Sequence, residues 1–214
     1  MMRPFTTVSS AAIPFLEADV DTDAIFPARF LLLLEKRELG KHLFHDRRYG
    51  RDGAPDPAFI LNRAPFDRAN VLVAGANFGC GSSREQAVWA LDDFGIRCVI
   101  APSFGEIFRQ NCLSNGVLPV RLAAADHEAV AAAARAGSDV TVDLRACTIV
   151  AGAATIPFEV GAQERRALLA GLDQIGLILA DDVDDLSRFE AAQRRAAPWI
   201  ALTRERFASF AGEG

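Results

Sequence analysis

Between residues 70 and 122 short apolar runs alternate with amphipathic segments, and this alternation constrains the fold more than any other feature of the chain. The runs at 71–74, 98–101 and 117–122 have the composition of buried strands, while 83–94 and 106–113 have helical spacing. Gly95 and Gly116 stand where those helices must stop, and Ser103 with Glu106 forms a capping box at the start of the second. The order is βαβαβ. Short strands joined by helices imply a parallel sheet with right-handed crossovers, so the core is α/β.

The flanks add smaller elements. Residues 124–136 read as an alanine-rich helix ended by Gly137, and 139–144, 147–151 and 155–158 alternate like short strands, with Gly152 at a turn. A small antiparallel element is therefore expected beside the parallel core. Helices at 163–170, 174–179 and 182–196, cut by Gly171 and ended by Pro198, are read as packing or docking elements. Upstream, 13–15 reads as a strand, 19–23 as a polar turn and 35–44 as a helix; 45–57, rich in Arg, Asp, Gly and Pro, reads as a mobile loop.

At 214 residues, half of them hydrophobic, the chain can bury a substantial core. No apolar run approaches the roughly 18 residues of a membrane span, the most lipid-like piece being Phe30 to Leu34. No membrane partner is expected. The start lacks an apolar segment of the secretory kind, which makes the cytoplasm the default location. With 23 basic and 28 acidic residues, a net charge of −5, there is no basic stripe for a phosphate backbone, and nucleic acid is not an expected partner. The four cysteines, Cys80, Cys98, Cys112 and Cys147, lie far apart, so no zinc or complete iron–sulfur site can be read from them. No metal ligand is assigned.

The chemistry concentrates after the first core strand. Gly75, Gly79 and Gly81 allow a tight backbone path into a helix, whose N-terminal N–H groups and dipole suit an anion. Ser82 with Glu85, or Ser83 with Gln86, also satisfies the pattern of a capping box, so either hydroxyl has a purely structural account. The glycines argue for more, because a cap needs no such approach. Arg84 on the first helical turn is electrostatically misplaced unless an anion compensates it, either a protein carboxylate or a substrate carboxylate held by its fork. Asp19, Asp21 and Asp23 lack the glycine and glutamate of a calcium loop and read as a turn that orients its neighbours. His42 and His45 read as solvent-facing, and His127 as a residue of a surface helix.

Three runs together carry a resemblance: Asp21-Thr22-Asp23-Ala24-Ile25-Phe26-Pro27-Ala28-Arg29-Phe30-Leu31, Asn77-Phe78-Gly79-Cys80-Gly81-Ser82-Ser83-Arg84-Glu85, and Val99-Ile100-Ala101-Pro102-Ser103-Phe104. With Gly171-Leu172-Asp173-Gln174-Ile175-Gly176-Leu177 they resemble, in order and spacing, the bacterial small subunits of 3-isopropylmalate dehydratase, in the aconitase superfamily. The resemblance implies a swivelling three-layer β/β/α domain like the fourth domain of aconitase, spanning 1–198, with 199–214 as a tail that has no counterpart. It implies a hydro-lyase of leucine biosynthesis that interconverts 2- and 3-isopropylmalate through 2-isopropylmaleate. It also implies a heterodimer in which a large subunit holds a [4Fe–4S] cluster.

Carried over position by position, Ser82 resembles the general base, Ser83 and Arg84 ligands of a substrate carboxylate, and Asp23 a supporting carboxylate. Gly79 and Gly81 supply loop backbone, and Phe30, Leu31 and Leu32 resemble the loop that meets the substrate's variable side chain. Gln86 stands where many members have histidine. A hydratase for citraconate or dimethylmaleate would share these motifs. A nucleotide enzyme would want a lysine where Ser82 stands, and a non-catalytic interaction module would use Ser82 and Arg84 only as cap and ion pair.

Overall fold

The computed structural model describes residues 2–33, 35–197 and 199–200. Contacts divide the chain into two units, Met1–Asp173 and Gln174–Gly214. Among the described residues of the first unit there are seven strands: β1 (Thr7–Phe15), β2 (Val71–Ala74), β3 (Cys98–Ala101), β4 (Leu118–Arg121), β5 (Asp139–Asp143), β6 (Thr148–Ala151) and β7 (Ala154–Pro157). They lie in the order β4-β3-β2-β1-β5-β6-β7. The helices of this unit are α1 (Thr22–Ile25), α2 (His45–Arg48), α3 (Glu85–Phe94), α4 (Glu106–Ser114), α5 (Ala124–Arg135) and α6 (Ala162–Ala170).

β1 belongs to two ladders. Its first half, Thr7 to Ala11, pairs antiparallel with β5, and its second half, Ala12 to Phe15, pairs parallel with β2. β2, β3 and β4 continue the parallel set, and β5, β6 and β7 form an antiparallel meander. The pleat sends alternate side chains of the parallel strands to two cores. Ile13, Phe15, Leu72, Ala74, Val99 and Ala101 pack with Ala87, Val88 and Leu91 of α3 on one face. On the other, Ala12, Val71, Val73, Cys98 and Ile100 pack with Val140, Val142, Ile149 and Ile156 of the antiparallel strands and with Val130 and Ala134 of α5. Burial on both faces is why β2 and β3 read as unbroken apolar runs. The result is the β/β/α layering.

The second unit holds α7 (Gln174–Asp181) and α8 (Val183–Ala196). Ile175, Ile178 and Leu179 of the first and Val183, Leu186 and Phe189 of the second are exposed. The tail expected at 199–214 lies outside the described residues beyond Ile200.

Several sequence expectations need correction. The helix expected at 35–44 is instead a 3-10 turn at Leu39–His42 followed by α2. Glu38 and Phe44 have φ of 65° and 50°, a left-handed conformation that breaks any continuous helix. The segment 45–57 forms α2 and a turn closed by an isolated bridge between Tyr49 and Pro55, with Asp56 N–H donating to Arg48 C=O at 2.8 Å. The nearly buried Arg48 guanidinium holds it, donating to Asn62 Oδ1 at 3.1 Å and Gly40 C=O at 2.8 Å. His127 is buried rather than on a surface, its Nε2 lying 2.8 Å from Ala74 C=O at the end of β2. Ser103 does not cap α4, whose N-cap is Gly105.

Candidate functional site

The loops that follow β1, β2 and β3 converge beyond the carboxyl ends of these parallel strands, where open α/β sheets bind ligands. They extend the parallel pairing past the sheet, through isolated bridges from Asp21 to Cys80 and from Phe78 to Phe104. Hydrogen bonds lace the first loop to the second, among them Asp19 N–H to Ala76 C=O at 2.9 Å, Gly79 N–H to Val20 C=O at 2.7 Å, Thr22 N–H to Cys80 C=O at 3.0 Å and Asn77 Nδ2 to Asp19 Oδ1 at 2.7 Å. The glycine loop is therefore one wall of a braced assembly.

Its floor is Phe78, fully buried with its ring edge-on to Phe108 at 5.5 Å and 80°. Gly79 has a φ of +72°, and a Cβ there would lie 2.2 Å from the Phe108 ring. Only glycine meets both demands. Gly81 has a φ of +88° and turns the chain outward to Ser82 and Ser83, which are exposed.

The helix that follows begins uncapped. α3 starts at Glu85, its N-cap is Arg84, and no side chain accepts from its first N–H groups. The capping-box reading of Ser82 and Ser83 is thereby overturned. The turn conformation of Gly81 brings Ser82 and Ser83 into the loop ahead of the first helical turn instead. Neither serine hydroxyl, nor the backbone N–H of Ser82, Ser83 or Arg84, has a partner among the described residues. The cluster combines free hydroxyls, free donors and the positive end of a helix dipole.

The Arg84 side chain is only 15% exposed and lies over the first loop. Its Nη1 donates to Asp23 Oδ1 and, at 3.3 Å, to Phe26 C=O, leaving the other edge of the guanidinium without a partner among the described residues. The hydrogen bond from Arg84, and then that from Ala28 N–H at 2.9 Å, holds the Asp23 carboxyl below its usual range. The protein carboxylate that answers Arg84 is Asp23. Asp21 N-caps α1 through Ala24 N–H at 2.7 Å, so the three aspartates have separate jobs and do not enclose a cation. Among the described residues no group of three metal-ligating side chains could hold an ion.

The segment read as facing the substrate's side chain divides. Phe30 turns inward, stacked on His42 with centroids 4.0 Å apart, and Leu31 packs on the core, while Leu32 is 90% exposed. His42 is half-buried, contrary to its solvent-facing reading, because Phe26 and Phe30 cover it; its Nδ1 is buried without a partner among the described residues. Burial, then the charges of Lys41, His45 and Arg29, lowers its pKa. His45 Nδ1 lies 3.0 Å from Arg29 Nη2, which also binds Asp46. Cys80, beside Ser82, is a half-buried thiol whose pKa burial and then Asp21 and Asp19 raise. Gln86 is half-buried on the first turn of α3.

Sequence reasoning missed three residues of the site. Thr22, 2% exposed, donates from Oγ1 to Ser82 C=O at 2.7 Å. Ser103 Oγ accepts from Asn77 N–H at 2.8 Å, and Asn77 itself bonds Asp19. All three act between loops distant in sequence, which a local pattern does not register.

The family described as the aconitase C-terminal domain matches residues 2–125. A 3-isopropylmalate dehydratase small subunit of Gluconacetobacter diazotrophicus is 48% identical over 92% of this chain and 97% of its own. One of Paramagnetospirillum magneticum is 46% identical over 93% of this chain and the whole of its own. The crystal structure of a 3-isopropylmalate dehydratase from Methanocaldococcus jannaschii, 32% identical, superposes with a TM-score of 0.64 over 85% of this chain and 99% of its own.

Proposed function

The chain belongs to the family of 3-isopropylmalate dehydratase small subunits, and on that premise we propose that it supplies one half of an active site that interconverts 2- and 3-isopropylmalate for leucine biosynthesis. The other half belongs to a large subunit, and the complex works in the cytoplasm. The observation that carries this reading is the uncapped start of α3, where the Ser82 hydroxyl, free backbone donors and one free edge of Arg84 stand together.

In this reading Arg84 and Ser83 hold a substrate carboxylate, and Ser82 as alkoxide takes the proton from the carbon beside the one that bears the hydroxyl. A serine alkoxide at neutral pH needs stabilisation by several kcal/mol, and an open helix terminus with an adjacent guanidinium is suited to supply it. Asp23 fixes the Arg84 fork from one side and leaves the other edge for the substrate. A [4Fe–4S] cluster of the large subunit would supply Lewis-acid assistance to the departing hydroxyl. Gly79 and Gly81 hold the loop open, and the segment Phe30, Leu31, Leu32 borders the substrate's alkyl group, with Leu32 offering the exposed apolar side chain.

The curated relatives do not favour the sister hydratases. The choice is tested by reconstituting the chain anaerobically with its large subunit and comparing kcat/KM for 2-isopropylmaleate and citraconate hydration. A preference for the isopropyl compound supports the reading, and a preference for citraconate overturns it. Isopropyl exceeds methyl by two carbons, each worth about 1–3 kcal/mol, so the expected preference is about 2–6 kcal/mol in transition-state binding.

A further inference from the structure

The buried hydroxyl of Thr22 does something that the roles above leave unassigned. Thr22 is one of few buried polar residues among the described residues, and it sits between two exposed aspartates at the start of a four-residue helix. Its N–H donates to Cys80 C=O at 3.0 Å and its Oγ1 to Ser82 C=O at 2.7 Å. The same residue therefore grips the glycine loop on both sides of Gly81, the position where the backbone turns over with φ at +88°.

We propose that Thr22 is a positioning residue for the Ser82 base: by fixing the Ser82 carbonyl it sets the plane of the Ser82–Ser83 peptide and hence the direction of the unpaired Ser83 N–H. The peptide unit is planar and trans, so its C=O and N–H point in opposite directions. A carbonyl drawn towards buried Thr22 sends the Ser83 N–H the opposite way, and both serines are exposed. Ser83 N–H has no acceptor among the described residues, so it stays available to an anion. Without the hydroxyl, the Ser82 carbonyl has no partner among the described residues, and the Ser82–Ser83 peptide can turn about ψ of Ser82 and φ of Ser83. The threonine fixes that plane.

This inference rests on the reading of Ser82 as the base. The test uses the reconstituted two-subunit enzyme with Thr22→Val, which keeps the shape and removes the donor, and Thr22→Ser, which keeps the donor. For Thr22→Val, kcat falls by about 10- to 100-fold with KM changed far less, and the acid limb of the kcat profile moves to higher pH because the alkoxide has lost an oriented donor. Thr22→Ser restores both the rate and the profile. A rate for Thr22→Val equal to wild type, a fall that Thr22→Ser does not restore, or an unmoved profile would overturn the proposal. If Thr22→Val does not assemble, Thr22→Ala against Thr22→Ser gives the same comparison, and equal rates for that pair reject the role. Ser82→Ala, run in parallel, separates the two claims. Loss of turnover there with none in Thr22→Val rejects positioning alone, whereas full turnover in Ser82→Ala rejects the base and the positioning role with it.

Discussion

α3 and α4 begin alike in sequence and differ in what their entrances do. Each follows a parallel strand, and each carries a serine three residues before a glutamate, Ser82 with Glu85 and Ser103 with Glu106. Neither serine caps its helix. Ser103 instead accepts from Asn77 N–H, and Gly105 N–H donates to Phe78 C=O at 2.9 Å, so the entrance to α4 is consumed in bracing the glycine loop. At α3 the hydroxyl and the N–H groups of Ser82 and Ser83 are left without partners among the described residues. One entrance is spent on structure, and the other is kept open by it.

The sharpest way to break that contrast is to remove each serine. Ser82→Ala should lower turnover of the reconstituted enzyme by about 100- to 10,000-fold, the usual range for a lost general base, while assembly is kept. Ser103→Ala should leave turnover within about threefold and reduce stability by about 1 kcal/mol, for one hydrogen bond between loops. Equal effects in steady-state assays would erase the distinction. Next in size, Arg84→Lys should raise KM by about 10- to 100-fold, because an ammonium cannot serve Asp23 and a substrate carboxylate with a planar fork. An unchanged KM in substrate titrations would remove Arg84 from the binding role.

Gly79→Ala attacks the brace itself. Positive φ and the Phe108 ring both oppose a Cβ, so a loss of about 1–3 kcal/mol is expected, read as a fall of about 2–4 °C in Tm per kcal/mol. An unaltered melting curve would contradict the packing beneath the loop. The smallest effect concerns His42. Its folded pKa lies below 6.5, so the unfolded chain protonates first as pH falls, and the stability that neutral His42 confers is lost from about pH 6.5 downward through that lower value. His42→Gln should flatten part of this acid slope in thermal melts. An identical slope would show that the Phe30 stack tolerates the charge.

Much of the parallel core was legible because a strand buried on both faces cannot hide. β2 and β3 fall where the apolar runs predict them, and the glycines after the helices mark their ends. Short-range patterns misled where long-range contacts decide. The two serine–glutamate pairs have the local form of caps, yet tertiary bonds and left-handed glycines move each serine out of capping position. The segment from Glu35 to Phe44 has helical composition, but Gly40 N–H is claimed by Asp93 at 2.8 Å and the chain follows α3 instead. The pairing of Arg84 with Asp23 spans 61 residues, and no local rule anticipates which carboxylate wins.

The central claim, that Ser82 removes the proton, is tested most directly with 2-isopropylmalate deuterated at its methylene carbon. In the reconstituted wild-type enzyme one of the two deuterons should leave that carbon during turnover, and in an assembled Ser82→Ala complex both should remain on it. Loss of label from Ser82→Ala at the wild-type rate would place the base elsewhere.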